Sequence, residues 1–401
     1  MQESDVRDLA VHVLWAAFAL AVVLGALMQR TRFCTMGAVA DIVHMGDWAR
    51  MRMWVLAMGV AIVGFNAMVA LGWVDASKSI YAGPRFLWLS ALVGGAMFGF
   101  GMVLASGCGS RTLVRIGGGN LKSVVVFVVL GLAAFATLKG ITAVARVASV
   151  DRAAVHVASG TDLPSIVAAA TGVAKARLAL VLGLVLGGAL AAWALARPEG
   201  RSVENLAGGF GVGAVIVAVW WLSGVYGHVA EDPSTLQEAF VATNSHSMES
   251  LSFVGPVAYT LDWMLFFSDK SKLLTIGIVS VFGMIVGSSV QSRVSGQFRW
   301  EGFRDAGDTG AHLAGAVLMG VGGVTALGCT IGQGLTGLST LSLTSFVALA
   351  AIIAGAVAGV RFQAWRLERA AERPASARAT TTRASATKAA ASTAVGIGEG
   401  S

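Results

Sequence analysis

Cys34, Cys108 and Cys329 are the only cysteines among the 401 residues, and each lies where an apolar run breaks. Cys108 is held in Gly107-Cys108-Gly109 and Cys329 follows Gly328. Glycine at such a bend lets backbone come close to something else. The plain reading of a free cysteine is a small hydrophobe that packs well. Cysteines at three breaks, two of them in matched stretches, suggest a shared task instead. A thiol is a weak S–H donor and a soft, polarizable partner. Metals want several thiolates together or imidazole beside them. The six histidines, His12, His44, His156, His228, His246 and His312, do not cluster with the cysteines. A soft anion fits the thiols better, its charge held by backbone N–H groups at a bend or helix start. Arg111 and Arg115 follow Cys108 closely; they would draw anions to one mouth, or merely mark a cytoplasmic loop. A nucleophilic cysteine needs a lowered pKa and a base. Asp41 and His44 stand beyond Cys34 and Arg111 beyond Cys108, but Cys329 has no such neighbour. Covalent sulfur transfer is therefore the lesser alternative. An odd, sparse cysteine count argues against a disulfide framework, and no Cys-x-x-Cys pair signals zinc or redox work.

The matched stretches are LVGGAMFGFGMVLASGCGSRTLVRIGGGNL and LAGAVLMGVGGVTALGCTIGQGLTGLS, offset by 221 residues (329 − 108). Each is a small-residue helix ending on Gly-Cys and entering a Gly-rich bend. Two interrupted apolar segments in corresponding positions of two halves mark the binding site of many transporters. A weaker match pairs 25–30 with 287–292 and sets Gly296 opposite Cys34.

The elements that must position these residues are membrane helices. Hydrophobic residues make up 56% of the chain and charged ones 13%, against about 25% charged in a soluble domain. Apolar runs of about 20 residues recur, long enough to cross a bilayer core. They are continuous, unlike the alternating strands of a membrane barrel. The fold class is thus an all-α polytopic membrane protein of about nine transmembrane helices, with short re-entrant or interfacial helices and two inward-dipping Gly-Cys loops. The spans read as 9–28, 53–74, 86–106, 123–144, 178–195, 206–226, 273–290, 311–327 and 343–360. Residues 254–267 are borderline, either amphipathic or membrane-inserted. The transmembrane domain covers 1–362, and 363–401 is expected to be a disordered, basic cytoplasmic tail, since Ala/Ser/Thr repeats cannot build a core.

The formal net charge of +7 raises a nucleic-acid reading, but the basic residues are scattered through loops and tail. In a membrane protein such an excess marks cytoplasmic loops, which favours the N-terminus outside and the C-terminus inside. The first ten residues lack the basic start of a secretory signal, so 9–28 reads as a retained span.

The stretches RTRFCTMGAVADI, ASGCGSRTLVRIGGGNLKS and ALGCTIGQGLTGLSTLS together resemble the YeeE/YedE family of bacterial inner-membrane proteins. The resemblance covers most of the chain outside the middle loops and tail. It implies an hourglass-shaped helical fold with two loops dipping inward from opposite faces. It implies that Cys34, Cys108 and Cys329 line a path for thiosulfate or a related sulfur anion, passed along by weak S–H contacts without covalent chemistry. Gly107, Gly109, Gly328 and Arg111 complete the expected substrate-binding set. No cofactor, metal or enzymatic step is expected. Partners would be the anion, the bilayer and a small cytoplasmic sulfur carrier of the TusA type. Selenium-compound transport and membrane-bound sulfur transfer are the alternatives.

Overall fold

The computed structural model describes residues 3–233, 235–303 and 305–372. Apart from two ribbons of two-residue strands and isolated bridges, the regular structure of the described residues is helical. The face at which the first helix starts is called upper here, and the opposite face lower.

Helix α1 (Glu3–Arg30) descends, turns at Cys34 into the short α2 (Thr35–Met45), and α3 (Ala49–Ala70) rises. Helix α4 (Trp88–Leu104) descends to the Cys108 bend and continues as α5 (Gly109–Gly117), after which α6 (Leu121–Lys139) rises. The upper connection holds α7 (Ile141–Ala148) and α8 (Leu163–Thr171), with strands β1 (Arg85–Phe86) and β2 (Val155–His156) paired beside them. Helices α9 (Lys175–Leu182) and α10 (Gly188–Leu195) form one descending rod, joined by a π turn at Gly183–Gly187. Helix α11 (Val203–Trp221) rises, and a long upper loop follows with the ribbon β3 (His228–Val229) and β4 (Ala239–Phe240). That loop ends in α12 (Gly255–Leu265). Helix α13 (Ile276–Val294) descends, α14 (Ala306–Thr325) rises to the Cys329 bend, and α15 (Leu343–Glu372) descends.

Packing fixes these directions. Gly211 and Gly227, at and beyond α11, meet Leu27 and Val13 of α1, so the two helices are antiparallel. On α4, Gly101 meets Gly315 and Gly94 meets Ala326, so α4 and α14 also cross in opposite senses. The contact is backbone on backbone: a β-carbon at Gly94 would lie 2.5 Å from the Ala326 nitrogen. Small residues allow this approach in lipid, where van der Waals fit rather than hydrophobicity joins helices. Outward-facing valines and leucines, such as Val181, Leu184 and Val185, coat the α9–α10 rod. A soluble surface of this kind would be an aggregation hazard, whereas lipid covers it without cost.

Eight helices are long and apolar enough to cross a membrane, which makes the chain an all-α polytopic membrane protein. The ninth expected span is α14, whose first turns carry Asp308 and His312 and lower its hydropathy. The borderline stretch 254–267 is the single short helix α12, too short to span. Helix α15 runs on to Glu372, past the expected start of the tail at 363, while 373–401 lie outside the described residues. The chain divides after Gly359, and the described residues beyond it continue α15.

The internal repeat is larger than the sequence suggests, and it corrects the weaker match. Helices α1 and α13 descend together, so they cannot be inverted counterparts. The counterpart of α1 is α11, that of α2 is α12, and that of α3 is α13. Helix α2 begins at Thr35 and ends at Met45; α12 begins at Gly255 and ends at Leu265, a shift of 220 at both ends (255 − 35, 265 − 45). The contacts swap as an inverted pair requires: α1 packs on α13, and α11 packs on α3. Val254, not Gly296, therefore stands where Cys34 does, and Phe253 stands where Phe33 does.

Candidate functional site

The three cysteines share one local backbone. Two residues before each comes a non-glycine residue in the left-handed region: Arg32 (φ 53°), Ser106 (φ 57°) and Leu327 (φ 59°). The residue after it closes the preceding helix by donating its N–H five residues back: Phe33 to Met28, Gly107 to Met102 and Gly328 to Gly323. Such a closure satisfies helix-end carbonyls that would otherwise be unpaired in the membrane interior. The cysteine that follows stands at the start of a new helical run, with Cys34 and Cys108 in extended backbone. Cys34 caps α2 and Cys108 precedes α5 in this way. Cys329 stands before a helical run that includes a π segment, Gly332–Gly337.

Helix starts expose unpaired N–H groups and the positive end of the helix dipole. The thiols lie among them. The Gly37 N–H points at the Cys34 sulfur and the Gly332 N–H at the Cys329 sulfur, each at 3.4 Å. The backbone N–H groups of Ile331 and Phe253 also reach Cys329. The Cys108 sulfur meets the Ser110 hydroxyl at 3.3 Å. All three cysteines are free and buried. They are near one another too: Cys108 is within electrostatic reach of both Cys34 and Cys329.

The other expected residues gather at the same bends. Gly107 lies against the Arg111 side chain, and Gly109 faces the Phe253 carbonyl. Gly328 lies against Gln333. Arg111 is electrostatically close to Cys34, and its Nη1 is buried without a hydrogen-bond partner among the described residues. Arg115 instead donates to the Ser106 carbonyl at 3.0 Å, bracing the left-handed residue of its own bend. The candidate base near Cys34 is not free: Asp41 is paired with Arg50 at 2.8 Å, and His44 is exposed.

Neighbouring elements clamp the Cys329 run. Asn66 of α3 donates to the Ser339 carbonyl at 2.9 Å, and Trp220 of α11 donates to the Ser339 hydroxyl at 3.0 Å. Thr336 donates to the Leu251 carbonyl at 2.6 Å. Sequence reasoning missed the irregular stretch just before α12. There Ser252 and Phe253 lie between the Cys108 and Cys329 bends, with Ser252 and Tyr81 both against Gly332. Its one signal was Phe253-Val254 shifted by 220 from Phe33-Cys34.

From the Cys329 bend a cavity of about 240 Å³ leads toward the upper face, lined by Tyr81, Glu249, Ser252, Leu327 and Gly328 among others. Fold and site together define a membrane protein whose two inverted halves turn helix starts toward a common interior, the arrangement of a transporter. Residues 30–358 match the family described as Sulphur transport, and the chain belongs to that family. It is 26% identical over 340 residues to the thiosulfate transporter TsuA of Escherichia coli, covering 83% of this chain and 89% of that one. It is 25% identical over 359 residues to the thiosulfate transporter TsuA of Spirochaeta thermophila, covering 86% and 97%. A shorter match, 33% over 99 residues, covers 25% of this chain and 23% of the probable transporter YedE of Salmonella typhimurium.

Proposed function

We propose that this protein takes up thiosulfate across a bacterial inner membrane, with the upper face outside, along a path lined by Cys34, Cys108 and Cys329. The observation that carries the reading is the convergence of three backbone N–H groups, from Phe253, Ile331 and Gly332, on one buried thiol. Oriented amides neutralise an anion's charge without a counter-charge that would trap it. The thiol beside them offers a soft contact for a terminal sulfur atom. Gly107, Gly109 and Gly328 let the backbone approach, and Arg111 attracts the anion on the lower side. The ion passes by exchange of weak contacts, with no enzymatic step; the engagement of Asp41 by Arg50 supports this over sulfur transfer at Cys34. On the lower face a small sulfur carrier of the TusA type receives the product.

The test is uptake of labelled thiosulfate into proteoliposomes, competed with sulfate and selenite. Sulfate carries the charge without the soft terminal atom and should compete poorly. Cys108→Ala and Cys329→Ala should each lower uptake by about tenfold or more, a loss of roughly 1.4 kcal/mol, while keeping wild-type thermal midpoints. Undiminished uptake in both variants overturns the path.

A further inference from the structure

One carboxylate lines the cavity above the Cys329 bend, that of Glu249. It belongs to no part of the anion path described above, yet an anion coming from the upper face must pass it. The Ser245 hydroxyl donates to it at 3.1 Å and the Asn244 N–H at 3.4 Å. Three elements face it with titratable groups: Tyr81 from the loop before β1, Tyr259 from α12 and Arg146 from α7. None of them neutralises it. Arg146 is opposed by Asp151 at 3.5 Å, Tyr81 bonds to Ser252, and Tyr259 bonds to Asn244. Among the described residues no cation forms an ion pair with Glu249.

An ionised carboxylate with no counter-charge, at the mouth of an anion path, repels its own substrate. The conflict disappears when the carboxylate is neutral. We propose that Glu249 binds a proton from the outer solution as the anion enters, so that anion binding at the Cys329 bend is coupled to the uptake of one proton. The step is simple in its balance: water on the upper face releases a proton, one O–H bond forms on the Glu249 carboxyl, and nothing is oxidised or reduced. The coupling is reciprocal, because an anion nearby favours the neutral carboxyl by the same free energy with which the neutral carboxyl favours the anion. Burial already pushes the Glu249 carboxyl up to about 7, so it is poised to change state near neutral pH. The sign follows. Below about pH 7 the group is already neutral and the anion binds freely; above it, binding must first protonate the group. Affinity then falls with rising pH, by at most about tenfold per pH unit for one proton. The inference rests on the anion-uptake reading.

Two measurements on the purified full chain in lipid nanodiscs decide it. Thiosulfate binding is measured by calorimetry from about pH 6 to about pH 9, spanning the acid and base limbs of one titration. Proton uptake on binding is read with an indicator dye in weak buffer near neutral pH. Wild type should bind more weakly as pH rises and should take up protons on binding at neutral pH. Glu249→Gln should bind with little pH dependence and take up none. Wild-type binding without proton uptake overturns the inference, and so does a Glu249→Gln variant with the wild-type pH profile. The wild-type dye signal decides even if the variant fails to fold. Absence of thiosulfate binding at every pH removes the uptake reading and this inference with it, whereas binding without protons removes this inference alone.

Discussion

Arg32, Ser106 and Leu327 hold the backbone conformation on which the cysteines depend. A left-handed φ at a non-glycine residue costs roughly 1–2 kcal/mol, and here it aims the next helix start inward. A branched side chain at such a position adds strain. Ser106→Val should therefore lower stability by about 1–2 kcal/mol, while Ser106→Gly should stay within about 0.5 kcal/mol of wild type. Thermal unfolding in detergent reads the difference, and equal destabilisation by both would show that the hydroxyl, not the backbone, matters. Cys108 and Cys329 were legible in the sequence because the same glycines precede both at one spacing. Glu249 and Phe253 were not, because they lie in a polar loop with no periodicity, and only the folded chain brings them to the bends.

The repeat was half visible for a physical reason. Helices α4 and α14 cross backbone to backbone, so glycine is required at matching positions in both and the resemblance survives in sequence. Helices α1 and α11 also meet their neighbours through glycine, but against unlike partners: Gly25 of α1 meets the Met284 backbone, whereas Gly208 and Gly209 of α11 meet the side chains of Met53 and Leu56, so the two helices share no pattern of letters. The loop between α11 and α12 also hides the shift of 220 that places Val254 opposite Cys34. At this scale the clamp on the Cys329 run is testable. Asn66 is buried and donates to both Ile62 and Ser339. Asn66→Ala removes the donor and leaves the Ser339 carbonyl unpaired, which should cost about 1–3 kcal/mol. Uptake should fall further than stability alone explains, because the run that carries Cys329 loses its anchor. Wild-type uptake in a destabilised Asn66→Ala protein would show that the anchor serves folding only.

Among the described residues Glu231 is exposed in the upper loop after α11 and Ser295 is exposed in the lower turn after α13. With buried native thiols, a cysteine at Glu231 should react with an impermeant maleimide in intact cells, and one at Ser295 only after lysis. The reverse pattern would place the upper face inside and overturn the proposed orientation. Phe253 carries a last consequence. Its carbonyl faces Gly109 and its N–H reaches Cys329, so one buried residue touches both bends. On the proposed path a guest passing between them would meet Phe253 as a stopper, held beside the sulfur that the guest must leave. On that proposal traffic would be counted in single ions that each displace the stopper, not in a stream. Phe253→Ala should let chloride leak through proteoliposomes that are tight with the wild-type protein, and a variant that stays tight would place the throttle elsewhere.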